Sequence, residues 1–292
     1  MSERKSGKSD LSDERWALIE PVITAWKAKH PSANSHEGNY EMREIVNAVL
    51  CQSRAGCQWD YLPHDLPLAG AVKYYFYKWR DEGTDQTLHE LLRCSVRERA
   101  GRLEDPSLVV LDTRSGLAAV IVPAATTGRD AAKEVPGRKR ALAVDVLGLV
   151  IAVAVLAANA QENEAGTALL DEAAVRAPSV VKALVDQGLD QKVVHHGRGL
   201  GVDVEIVERN PQDVGFVPQP IRWGVEQAFG NLMLHRRIVR DYESRLASSV
   251  SRVYWAETDR MTRRLTGTTA TSWHTPADLA DLDLGESVQT AA

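Results

Sequence analysis

Between Leu11 and Ile23 apolar residues recur at helical spacing, with Ser12 and Asp13 placed as caps ahead of Trp16, Leu18 and Ile19. The same period returns in YEMREIVNAVLCQSRAG, which stops at Gly56, and in LAGAVKYYFYKWRDEG, with the Pro-rich turn WDYLPHDLP between them. The last of these helices carries Lys73, Lys78 and Arg80 among tyrosines and a tryptophan. Helix, turn and aromatic-basic helix predict a small all-α unit over residues 11–100, helix-turn-helix-like and suited to DNA. A plain helical bundle is the alternative. The first ten residues are polar and are expected to fray.

Residues 97–106 read as a join, because the period changes after them. SLVVLD is a short apolar strand ending in Asp112; 120–137 has no period and reads as a loop; RKRALAVDV and LVIAVAVLAA flank Leu147-Gly148 as a hairpin. ENEAGTALLDEAAVRA is a helix, VKALVD a buried strand ending in Asp186, QKVVHHGRGLG a shorter helix, VDVEIVE a strand, and RWGVEQAFGNLMLHRR a helix striped by Val225, Phe229 and Leu232. Strand, hairpin, helix, strand, helix, strand, helix predicts an α/β domain with a mixed sheet over residues 107–265. Residues 266–292, rich in Thr, Ala, Asp and Ser, read as a flexible tail.

Composition narrows the classes. The 292 residues suit about two domains, and 44% hydrophobic with 26% charged content is ordinary for a globular chain. Cys51, Cys57 and Cys94 have neither disulfide nor zinc spacing, the opening MSERKSGKSD lacks the apolar core of a signal peptide, and the apolar run 147–158 is too short to span a bilayer. These features fit a cytoplasmic protein without a membrane segment. A net charge of −5 argues mildly against nucleic acid, but residues 209–264 hold ten arginines against six acids, with His235, Arg236, Arg237 and Arg240 clustered. The run Arg138, Lys139 and Arg140 adds a second basic patch.

The chemistry lies in the acids. Asp112 and Asp186 each close an apolar strand, where side chains can meet a ligand. Glu226 borders the apolar stripe of its helix, and Gly230 one turn on leaves room beside it. A lone Asp after a strand is commonly a turn former, and a lone Glu at a stripe edge is commonly solvated. As a trio on three elements of one domain they suit a hard divalent cation: Mg2+ takes oxygen ligands, and a pair of ions roughly 3.5 to 4 Å apart can serve both the attacking and the leaving oxygen of a phosphodiester. Asp145, in the hairpin, reads as a solvated alternate of its strand. His195 and His196 read as surface residues, and the glycines 197, 199 and 201 as a helix-ending turn.

LDTRS around Asp112, VPGRKRALAVDVLG, ALVDQG around Asp186, VERNPQDVGFVPQP and RWGVEQAFGNLMLHRRIVRDYE around Glu226 resemble the bacterial insertion-sequence transposases of the DDE class, specifically insertion-sequence family five. LSDERWALIEPVI and REIVNAVLCQSRAGCQWDYLPHDLP resemble the domain that precedes the catalytic core in that family, so the resemblance spans roughly residues 11–265. It implies a ribonuclease H-like core with Asp112, Asp186 and Glu226 as metal-binding triad, Mg2+ (two ions, with Mn2+ as a substitute), and DNA phosphate contact by Arg222. It further implies double-stranded DNA as partner, both terminal inverted repeats and target, and at least a homodimer on DNA. Where that family carries a basic residue seven or eight positions after the Glu, Met233 and Leu234 stand here, and the charge comes later, at Arg236 and Arg237. An intact triad favours a transposase; the displaced charge favours a domesticated or decayed copy that binds DNA without cutting. A nuclease that cuts without rejoining is the third reading.

Overall fold

The computed structural model describes residues 4–30, 40–207 and 223–268. Four helices come first: α1 (Asp13–Lys29), α2 (Met42–Ala55), α3 (Ala69–Asp81) and α4 (Thr84–Arg99). Ser12 caps α1 by accepting from the Arg15 amide, and the acids of its first turn and lysines of its last complement the helix dipole. α2 ends at Gly56 in the left-handed region, φ 73°, where a Cβ would stand 2.9 Å from that of Arg236. Only glycine meets both demands. α4 covers a charge-rich stretch in which no helix was expected, and it takes in the first residues of the expected join. Arg97, in its last turn, is buried.

The opening is held where fraying was expected. Arg4 pairs with Asp10 at 2.6 Å and with Glu44 of α2 at 2.7 Å, and Leu11 is buried with its amide donating to Asn47. The tail lies outside the described residues from position 269.

The second part follows the expected order: β1 (Leu108–Leu117), β2 (Gly128–Asp130), β3 (Val135–Val144), β4 (Val150–Ala157), α5 (Glu162–Arg176), β5 (Lys182–Val185), α6 (Gln191–Gly199), β6 (Asp203–Ile206), α7 (Trp223–Leu232), α8 (Arg236–Val239) and α9 (Leu246–Thr266). The sheet runs β4-β3-β1-β5-β6, with β2 pairing the start of β3; β1, β5 and β6 are parallel and β3 is antiparallel to β1 and β4. Two boundaries differ from expectation. β1 runs five residues past Asp112, because β3 pairs with it as far as Leu117↔Gly137. The expected loop 120–137 holds β2 and the first residues of β3.

Strand alternation divides the apolar residues between two faces. Val109, Leu111, Ala183 and Val185 pack under α5 and α6 with Leu169, Leu170 and Val193. Val110, Leu142, Val144 and Leu184 pack under α7 and α9 with Val225, Phe229 and Val253. A third core joins α1 to α4 with Trp255 and Met261 of α9 and with Leu149 beside the hairpin turn. α9 therefore lies between the sheet and the first four helices, and almost its whole length is buried.

That burial includes charges. Asp259 of α9, 1% exposed, receives Arg15 of α1 at 2.5 Å, Arg54 of α2 at 3.3 Å and Arg263 at 3.2 Å, with His235 at 3.8 Å. Asp145, expected at the solvated side, is fully buried; Arg97 of α4 pairs with it, and the amides of Leu147 and Leu149 donate to its Oδ1. Each of these carboxylates ties an early helix to the later part of the chain. Among the described residues no helix is long and apolar enough to cross a membrane.

Asp259→Ala leaves the buried guanidinium of Arg15 and the half-buried one of Arg54, from separate helices, without their shared partner. A loss of about 3 to 5 kcal/mol is expected in urea unfolding, against under about 1 kcal/mol for Asp13→Ala, whose pair with Arg43 is exposed. Equal effects would remove the hub role. Asp85, buried at the start of α4, gives a pH test: burial pushes its carboxyl up to about 6. The folded chain then keeps a proton that the unfolded chain releases near pH 3.9, so ionising Asp85 weakens the fold as pH rises from about 4 through 6. Asp85→Asn should raise the melting temperature at pH 8 and lose that advantage near pH 4; an advantage that is largest in acid contradicts it.

Candidate active site

The parallel register of β1 and β5 pairs Val109 with Ala183 and Val110 with Leu184. Two residues further on the same register sets Asp112 level with Asp186, which follows the last residue of β5. Asp112 alternates with Val110 and so belongs to the face on which α7 packs; Asp186 follows the end of β5, two residues after Leu184 of that face. Asp112 is therefore a mid-strand residue rather than a strand end. It stands where β1 parts from β5 and continues with β3 alone.

Local hydrogen bonds fix both groups. Asp112 is half-buried, and its Oδ1 accepts from the Thr113 amide at 2.7 Å; Asp186 is also half-buried, and its Oδ1 accepts from Gly188 at 3.0 Å. The second contact is a turn-forming bond, the bland role that the sequence allows for an Asp after a strand. Glu226 lies in the first turn of α7, exposed, beside buried Val225; a Cβ on Gly230 would meet nothing within 4 Å. α7 packs on the face that holds Asp112, with Glu226 next to the packed Val225. Among the described residues no three acid, histidine or cysteine side chains are gathered closely enough to hold a metal ion. Three carboxylates that approach one another without a cation repel, and the donor set itself, all hard oxygen, is one that Mg2+ accepts.

One acid near the site escaped the sequence reading. Glu162, at the start of α5, accepts from Thr113 Oγ1 at 2.6 Å and from Lys139 Nζ at 2.8 Å. A Cβ on Gly188 would lie 3.1 Å from Asp186 Oδ1 and 3.7 Å from Glu162 Cγ, so both acids flank the turn after β5. Its signal was available: an acid in the first turn of a helix that follows a strand.

The basic candidates separate into two groups. Arg138 is 3% exposed and donates to Asp241 at 3.0 Å, to the Glu243 carbonyl at 2.7 Å and to Ser249 at 3.0 Å. Lys139 is 3% exposed on Glu162 and the Ala160 carbonyl, and Arg237 is 8% exposed on Glu243 at 2.9 Å. These three side chains, expected as DNA contacts, are buried and paired inside the fold. A buried cation must be paired, and each basic run supplies the partner of a buried acid or carbonyl. Arg80 is engaged likewise, on Asp81 and Ser248. Lys73 and Lys78 form surface pairs with Asp60 and Glu82. Arg236 and Arg240 are exposed, Arg140 is half-buried, and Arg222 lies outside the described residues.

Comparison with known proteins adds to this geometry. A family model described as "Putative transposase of IS4/5 family" matches residues 11–89, and one described as "Transposase DDE domain" matches residues 105–253, half of the chain. No curated protein matches. The first match spans α1 to α3 and the start of α4, and the second spans the sheet with α5 to α8 and the start of α9. The chain belongs to the insertion-sequence transposases that carry the DDE domain, and its mixed sheet is their ribonuclease H-like core.

Proposed function

We propose that the chain binds the terminal inverted repeats of its own element, cleaves them to 3′-hydroxyls and joins these to target DNA, with Asp112, Asp186 and Glu226 as the catalytic carboxylates. What supports this reading is the parallel register that pairs Val110 with Leu184, two residues before Asp112 and Asp186, on the face on which α7, the helix of Glu226, packs. Asp112, Asp186 and Glu226 would hold the divalent cation, Mg2+ with Mn2+ as a substitute, the first two from the sheet side and the third from α7. Bound there, the cation supplies charge neutralisation at the phosphodiester and favours the oxygen nucleophile. The protein's own work is positioning, since phosphoryl transfer needs alignment and electrostatic support rather than a protein nucleophile. The bond from the Thr113 amide to Asp112 and that from Gly188 to Asp186 set the orientation of the two strand carboxylates. Glu162 holds Lys139 and Thr113 on the opposite face, which supports β1 beneath Asp112.

Duplex DNA reaches this face through exposed cations, for which Arg236 and Arg240 beside α7 serve better than the buried arginines. Two element ends require two active sites, hence at least a dimer on DNA. The alternative, a copy that binds without cutting, draws on the apolar pair Met233 and Leu234 that follows Glu226 where the family carries charge.

Strand cleavage and joining on DNA carrying the element's ends test the reading. Glu226→Gln, Asp112→Asn and Asp186→Asn should each retain end binding and folding while cleavage falls on the order of a hundredfold or more, as for loss of one preorganised charge-stabilising group. Combining Asp112→Asn with Glu226→Gln should add little, because residues that act as a unit are non-additive. Cleavage by Glu226→Gln at the unmodified rate removes Glu226 from the site. An unmodified chain that binds the ends and never cuts establishes the alternative.

A further inference from the structure

β1 beyond Asp112 is unusual in what it sets opposite β3. Arg114 and Arg140 are direct partners in the antiparallel register, so two guanidiniums emerge side by side on one face. By alternation this is the face of Asp112, Val110 and Leu142. Like charges directly opposite each other destabilise a strand pair unless something of opposite charge lies between them.

Both arginines line one cavity of about 220 Å³, walled by Met233, Ile238 and Val239 of the α7–α8 segment. Asp241 is its one carboxylate among the described residues, and that group already accepts from Arg138, Ser249 and the Glu243 amide. Among the described residues Arg114, which is exposed, makes no ion pair, and the buried Nε of Arg140 meets no hydrogen-bond partner. Burial pushes the Arg140 guanidinium down, and Arg114 and Arg138 add to that, only partly offset by Asp241. The cavity therefore holds more positive charge than its own acids balance, and its donors are planar forks that fit a phosphate.

We propose that Arg114 and Arg140 form a phosphate subsite that holds the backbone of the DNA strand alongside the one phosphodiester at Asp112. This rests on the transposase reading and adds to it where the strand runs. Two residues along β1 separate Arg114 from Asp112, about 7 Å at strand rise, close to the spacing between neighbouring phosphates along one DNA strand. The backbone then follows β1 past α7 toward the exposed Arg236 and Arg240. Arg114 and Arg140 act as positioning residues: they fix which phosphodiester lies at the carboxylates.

The test measures duplex binding by the full chain between 50 and 200 mM salt. Each phosphate contact contributes about 0.9 to the slope of log affinity against log salt. Arg114→Ala should make the slope shallower by about that amount, Arg114→Lys should restore it, and Arg129→Ala, exposed and paired with Glu134, should leave it unchanged. Inorganic phosphate should raise the melting temperature of the unmodified chain more than that of Arg114→Ala. An unaltered salt slope in Arg114→Ala overturns the subsite while DNA binding stands, and does so even where the phosphate response is lost, because the cavity then takes free phosphate and not the strand. A chain that binds no duplex at all overturns the transposase reading and the subsite together.

Discussion

The parallel register between β1 and β5 is the constraint on which the site depends. Side chains alternate with a period of two, so a shift of one residue in that pairing would send either Asp112 or Asp186 to the α5 face and leave the other alone under α7. Burial on both faces prevents the shift. Val109 and Leu111 are locked under α5, Val110 under α7, and the same division holds Ala183, Leu184 and Val185. The apolar packing of the strands thus fixes the position of the two acids, which contribute nothing to that packing themselves.

A second constraint joins the two parts of the chain. Asp259 and Asp145 are buried acids of the later part, and cations from α1, α2 and α4 reach into them. Such groups are costly to bury and far costlier to leave unpaired, so the early helices are specified in position against α9 and the hairpin. The early helical unit is held in fixed relation to the sheet by these pairs rather than by apolar contact alone. Gly56 makes the same point sterically, because any side chain there would run into α8.

Much of this was legible in the sequence. Three of the four early helices, the hairpin, the alternating helices and strands and the positions of Asp186 and Glu226 follow from periodicity and turn residues. What escaped has a physical reason in each case. The α4 stretch, TDQTLHELLRCSVRER, carries so many charges that its apolar stripe, Leu88, Leu92 and Val96, is thin. The extension of β1 through TRSGL is polar and depends on pairing with β3, a partner distant in sequence. Asp145 and the basic run at Arg138 look like solvated charge in one dimension, whereas their partners, Arg97 and Asp241, lie 48 and 103 residues away. Periodicity reports which face of an element is apolar; it does not report which charges find one another inside.

In the proposed site Asp112, on β1, and Asp186, just past β5, act with Glu226 as one metal-holding unit. Anomalous scattering from crystals of the full chain grown with Mn2+ tests it most directly. The expected result is a manganese peak bounded by the carboxylates of Asp112 and Asp186, with Glu226 drawn toward it from α7, and loss of that peak in Asp112→Asn. Manganese bound elsewhere on the chain, or a peak that persists unchanged in Asp112→Asn, would contradict it.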